Sequence, residues 1–162
     1  KMSIQEIKDE YKDTEGRPEV RQRIREKQRE VAMASTLEAV GKADVIVTNP
    51  SHFAVALSYA VGTDEAPKVT AKGADFMAKR MKEKAADSGV YIFEEPQLAR
   101  ALFFTTEVDQ DIPRLLFEAV AEVIAYVFQL NAFSKDGQPL KKPRLKLPSK
   151  MQFDESGKQL DI

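Results

Sequence analysis

Residues 49–52 read Asn-Pro-Ser-His, and His52 is the only histidine of a chain without cysteine. An asparagine ordinarily degrades when the next backbone nitrogen attacks its side-chain carbonyl. Pro50 lacks the N–H that this route requires. The reverse attack stays open: the side-chain amide nitrogen of Asn49 can add to its own backbone carbonyl. That closes a five-membered succinimide and expels Pro50 as a new N-terminus. An X-Pro bond prefers trans less strongly than other peptide bonds, so a tight turn can hold it distorted. Proximity of this kind is worth up to ~7–11 kcal/mol in favourable intramolecular reactions. Imidazole titrates at about pH 6.5, which suits His52 to deprotonate the attacking amide or to protonate the leaving nitrogen. The sequence leaves both roles open. The Ser51 hydroxyl can hydrogen-bond across the turn. A Ser51–His52 hydrolase dyad is disfavoured, because neighbours in an extended segment point to opposite faces. Asn-Pro is also a common turn dipeptide, so an inert turn is the competing reading.

Composition narrows the remaining chemistry. The absence of cysteine excludes disulfides, thiol nucleophiles and zinc ribbons, and a single histidine leaves no multi-histidine metal site. No metal and no cofactor is expected. Lysine and arginine number 25 against 26 acidic residues, a net charge of −1, which argues against nucleic-acid binding. With 162 residues and 43% hydrophobic content, the chain can build one core with flanking segments. It begins at Lys1 rather than Met.

The turn needs elements to position it. Residues 1–40 are dense in charge and read as a helical linker or stalk. A short helix starts near Ile4, behind a Ser3/Glu6 capping box. A second runs from Pro18 to Val40 and stops at Gly41, with Val31, Ala32, Met33, Leu37 and Val40 free to pack on a core. Val45–Val47 form a short apolar run and Phe53–Tyr59 alternate, which predicts two strands. The short connection through Asn49, Pro50, Ser51 and His52 favours an antiparallel hairpin. A third strand falls around Lys68–Lys72. Gly73 then opens a helix with Ala74, Met77, Ala78, Met81 and Ala85 on one face, capped at Gly89. Val90–Phe93 form a fourth strand, parallel to the third across that helix. Pro96 begins a short helix, and Asp111 and Pro113 begin a last one reaching Leu130. That last helix is apolar nearly all round, yet too charged and short to read as a membrane span. The expectation is an α/β chain of mixed α+β type, with about four strands flanked by about four helices. Residues 41–133 form the compact domain, and 134–162 a flexible basic tail.

Four ordered segments resemble the FlhB/YscU family of type III secretion export-gate proteins, its flagellar branch above all. They are NPSHFAVALSY from Asn49, APKVTAKGAD from Ala66, EEPQLARALF from Glu94 and IPRLLFEAVAEVIAYVFQL from Ile112. The upstream KMSIQEIKDEYKDTEGRPEVRQRIRE is similar to the family's linker, so the likeness covers residues 1–133. The family signature is Asn-Pro-Thr-His. Ser51 keeps the hydroxyl but loses a methyl, which loosens the turn at χ1. Pro96-Gln97 stands where Pro-Pro is frequent.

The resemblance implies a fragment that follows four transmembrane helices, at the cytoplasmic face of the bacterial inner membrane. It implies self-cleavage at Asn49-Pro50, acting once and on no external substrate. Asn49, Pro50, Ser51 and His52 would be the catalytic set. It also implies a part in switching export from rod/hook-type to filament-type substrates. The partners would be those export substrates and other export-apparatus proteins. Ala66, Pro67, Ala121 and Ile124 would form an apolar pocket for early substrates. The alternative is an interaction module of a secretion apparatus that never cuts.

Overall fold

The computed structural model describes residues 17–50, 52–60, 62–63, 65–133 and 140–160. Their elements are α1 (Pro18–Gly41), β1 (Val45–Asn49), β2 (Phe53–Ser58), β3 (Lys68–Ala74), α2 (Phe76–Ser88), β4 (Tyr91–Glu94), α3 (Pro96–Thr105) and α4 (Phe117–Phe133). Short 3-10 turns occupy Arg114–Leu116 and Ser149–Met151. The helix expected near Ile4 lies outside the described residues. The chain divides into two units, Lys1–Ser35 and Thr36–Ile162. In the first, residues 18–35 are helical, with Ile24 and Val31 exposed. In the second, Leu37, Ala39 and Val40 join a core. The expectation that Val31 and Ala32 also pack is corrected: both are exposed.

The fold is mixed α+β, as the sequence patterns predict. Its four described strands run in the order β3-β2-β1-β4. β1 and β2 pair antiparallel around the Asn-Pro turn, with Asn49 opposite Phe53. β2 and β3 are antiparallel, whereas β1 and β4 are parallel. β3 and β4 therefore run in the same direction, but from opposite edges of the sheet. The connection through α2 crosses both middle strands rather than joining neighbours.

The alternation of β1 and β2 divides the core. Val45, Val47, Val55 and Leu57 face one side, where Leu98 and Leu102 of α3 and Val120, Val123 and Val127 of α4 meet them. Ile46, Ala54, Ala56 and Ala71 face the other, against Ala78, Met81 and Ala85 of α2. With both faces covered, every residue of β1 is buried, which explains a continuous apolar run rather than a half-polar strand. The stretch Arg114–Ala132 is long and apolar enough to cross a membrane by length and composition. This corrects the expectation from its charge and length. Its apolar stripe is spent on the sheet and α3.

Small residues let α2 lie close to the sheet. Gly73 does not open that helix; it sits inside β3. A Cβ there would fall 2.5 Å from Met77 Cγ and 2.9 Å from Met81 Sδ. The helix instead starts at Phe76 and ends at Gly89, in the left-handed region (φ 73°), whose N–H reaches the carbonyls of Ala85 and Ala86.

Residues 140–160 correct a further expectation. Leu145, Leu147, Met151 and Phe153 pack on the α3/α4 side of the core. Lys142 Nζ donates to the Glu94 carbonyl at 2.9 Å and lies 4.6 Å from the centre of the Phe93 ring. The lysines and prolines that read as a tail are interleaved with apolar residues that supply the burial holding this segment down.

Gly73→Val should destabilise the second unit by about 1–3 kcal/mol through overpacking. Val31→Ala, on the exposed helix, should change stability by less than about 0.5 kcal/mol. Urea unfolding of both in an Asn49→Ala chain checks the contrast.

Candidate functional site

β1 delivers the Asn-Pro turn from inside the core. Asn49 is its last residue and is buried, only 6% exposed. Pro50 follows through a trans bond and is exposed. Ser51 lies outside the described residues. The His52 N–H donates to the Asn49 carbonyl oxygen at 3.0 Å and closes the turn. The His52 carbonyl accepts from the Asp75 N–H at 2.8 Å. Asp75 holds φ at 50° just ahead of α2, a region that few non-glycine residues adopt.

Phe53 anchors the outgoing strand. Its ring stacks on Phe103 at 4.5 Å and meets Phe104 edge-on at 5.2 Å. Phe104 in turn contacts Phe153, at 6.3 Å between ring centres. The turn is thus held by backbone hydrogen bonds on one side and an aromatic chain on the other.

Against this satisfied framework, Asn49 Nδ2 is buried with no hydrogen-bond partner among the described residues. An unmet buried donor costs on the order of 1–3 kcal/mol, and such groups are rare enough to need a reason. Thr70 Oγ1 and Arg100 Nε share that state, but neither adjoins a proline amide. An amide that donates to nothing keeps its nitrogen available to a nearby carbonyl carbon. The oxygen of that carbonyl already accepts the His52 N–H. A donor placed there stabilises the negative charge that develops when the carbonyl is attacked.

His52 is half-buried, and its Nε2 stands 3.2 Å from Glu155 Oε1. Glu155 lies at the tip of a short hairpin closed by a bridge between Phe153 and Gln159. Asp154 Oδ1 accepts from the Ser156 N–H and hydroxyl and from the Lys158 N–H at 2.6–2.9 Å. Gly157, at φ 89°, lies against the Phe104 ring, where a Cβ would come within 2.8 Å. Sequence reasoning missed Glu155 and this hairpin. The Asp-Glu-Ser-Gly turn signal between Phe153 and Lys158 was the available clue.

Pro67, Ala121 and Ile124 are brought together. They line one open apolar hollow of about 430 Å³ with Tyr59, Phe117 and Phe128. Ala66 is half-buried and does not line it, although its neighbour Glu65 does. Tyr59 lies just beyond one end of β2 and His52 just before the other. At ~3.3 Å per residue, the turn and the hollow stand roughly 20 Å apart along that strand.

The profile of the FlhB HrpN YscU SpaS family matches residues 1–127. The flagellar biosynthetic protein FlhB of Yersinia enterocolitica is 48% identical over 155 residues, covering 94% of this chain and 40% of its own length. FlhB of Salmonella typhimurium is 46% identical over the same coverage. The crystal structure of the cytoplasmic domain of FlhB from Shewanella putrefaciens matches with a TM-score of 0.69 at 41% identity, over 75% of this chain and 95% of that one. An EscU C-terminal domain with an asparagine-to-alanine substitution matches with a TM-score of 0.54 at 32% identity, over 56% of this chain and 91% of that one. The architecture is that of the cytoplasmic domains of export-apparatus proteins. The chain belongs to the FlhB/HrpN/YscU/SpaS family, and spans 40% of the length of the curated relatives cited.

The hairpin tip has a defined response to acid. The hydrogen bonds from the Ser156 side chain and then the Lys158 N–H hold the Asp154 carboxyl below its ordinary value of 3.8. The depressed value means that its contribution is fully present above the ordinary value and is lost as pH falls through the lowered one. The amide resonances of Ser156 and Lys158 should therefore stay at their neutral-pH positions until the pH drops below the ordinary carboxylate range. Asp154→Asn should shift them at neutral pH.

Proposed function

We propose that this chain is a self-cleaving domain of a flagellar type III export apparatus, cut once between Asn49 and Pro50. The observation that carries the reading is the buried Asn49 Nδ2 at a strand end, without a hydrogen-bond partner among the described residues and close in sequence to the only histidine. Asn49 Nδ2 attacks the Asn49 carbonyl carbon, and a C–N bond forms. His52 takes the proton that the amide gives up. The tetrahedral centre collapses, the bond to Pro50 breaks, and the proton passes to the Pro50 nitrogen. The products are a C-terminal succinimide, which water opens, and a free proline amine. The His52 N–H steadies the oxyanion while it exists. Ser51 completes the loop between the two acting residues. In support, one solved EscU domain is substituted at an asparagine and another at the proline that follows it.

The cut does not release the halves. β1 stays paired with β2 and β4, both carried on the other fragment. In the whole protein, the domain stands at the cytoplasmic face of the inner membrane. Cleavage there helps the apparatus change from rod/hook-type to filament-type substrates. The hollow at Pro67, Ala121 and Ile124, with Ala66 at its margin, docks an apolar segment of the early substrates. Other export-apparatus proteins share the domain's surface.

Intact mass spectrometry of the purified chain should show the fragments 1–49 and 50–162, co-migrating under native conditions. Asn49→Ala should leave one intact mass; two fragments of unchanged mass from that variant would refute the mechanism. At the hollow, Ala121→Asp should weaken binding of a fluorescent rod/hook-type substrate peptide by about tenfold or more, since a buried unpaired charge costs several kcal/mol. Cleavage should be unaffected. Anisotropy titration measures the first and gel densitometry the second.

A further inference from the structure

We infer that Glu155, carried on the C-terminal hairpin, is a positioning residue for His52 in the cleavage at Asn49-Pro50; this rests on the cleavage reading above. The contact joins segments far apart in sequence, with Glu155 Oε1 at 3.2 Å from His52 Nε2. A lone ion pair this exposed (side chains 41% and 56% accessible) holds little by itself. Here the carboxylate is presented by a built element.

Three features fix the hairpin. Asp154 gathers three donors at its tip, the Phe153–Gln159 bridge closes its base, and the Leu160 N–H returns to the Gln152 carbonyl at 2.8 Å. Gly157 and Phe153 seat it on Phe104, which touches Phe53, the residue after His52. The aromatic chain that anchors β2 therefore also sets the height of Glu155 above the turn.

The consequence is chemical. A neutral imidazole carries its proton on one nitrogen, and a hydrogen bond to that N–H selects the tautomer. A carboxylate accepts and cannot donate. Glu155 therefore selects His52 with the proton on Nε2 and leaves Nδ1 as the basic nitrogen. Nδ1 is then the atom that receives the Asn49 amide proton and returns it to Pro50. Glu155 touches neither Asn49 nor Pro50 in this scheme; it acts through the ring.

Cell-free synthesis of the full 162-residue chain, sampled over time on denaturing gels, reads the cleavage rate. Glu155→Ala should slow cleavage on the order of twofold to fivefold, the effect of losing one partly exposed ion-pair contact. In a His52→Ala chain, the same substitution should produce no further slowing, closing a double-mutant cycle. With one histidine in the chain, the nitrogen-15 signature of His52 is unambiguous. At a pH where the ring is neutral, it should show the Nε2–H form in Asn49→Ala and a tautomer mixture in Asn49→Ala/Glu155→Ala. An unchanged rate, an unchanged tautomer, or equal slowing with and without His52 would each overturn the assignment. A wild-type chain that never cuts would instead overturn the cleavage reading, with the tautomer then deciding Glu155's hold on the ring.

Discussion

The pairing of β1 between β2 and β4 is the constraint on which the rest of this structure depends. It buries all five residues of β1 and stops at Asn49. The register that sets Asn49 opposite Phe53 leaves only the turn between them. A shift by one residue would reverse every side chain of β1 between the two faces. It would place Val45 and Val47 against α2 and Ile46 against α3 and α4. The position of the Asn49 amide is thus set by core packing some distance away, rather than by the turn alone.

The turn itself is over-determined. The backbone carbonyls of Asn49, His52 and Asp75 and the N–H groups of His52 and Asp75 are paired, and the Phe53 ring packs against both Phe103 and Phe104. In such surroundings, the Asn49 side-chain nitrogen, which has no hydrogen-bond partner among the described residues, is held by neighbours with no freedom to relax toward it. Strain and unmet hydrogen bonds gather where a rigid frame can tolerate them. Asn49 combines an unmet donor with a proline amide as its next bond, and proline is the residue that shuts the usual route of asparagine decay.

Local signals in the sequence translated well. The Asn-Pro turn between alternating runs, the cap at Gly89 and the Pro96 helix start each depend on a few neighbouring residues, and each is where the pattern places it. Long-range signals did not. Nothing in Tyr91–Glu94 states that its partner is β1 rather than β3. Gly73 reads as the opening of a helix because the helical spacing of apolar residues begins beside it; its use is to admit Met77 and Met81 above the strand. The apolar residues of 140–160 are spaced among lysines and prolines, so composition hid their burial. The pairing of Glu155 with His52 was illegible for a different reason: the two residues lie toward opposite ends of the folded unit's sequence.

The strand order has a mechanical meaning. A break after Asn49 leaves the shorter piece with the strand at the middle of the sheet, gripped on both sides by strands of the longer piece. Such a joint has no free edge from which to peel. A pull transmitted through α1 along the axis of β1 loads both rows of hydrogen bonds in shear. A chain severed there would part only when both rows yield together, so loss of the covalent bond would leave the mechanical continuity of the sheet intact.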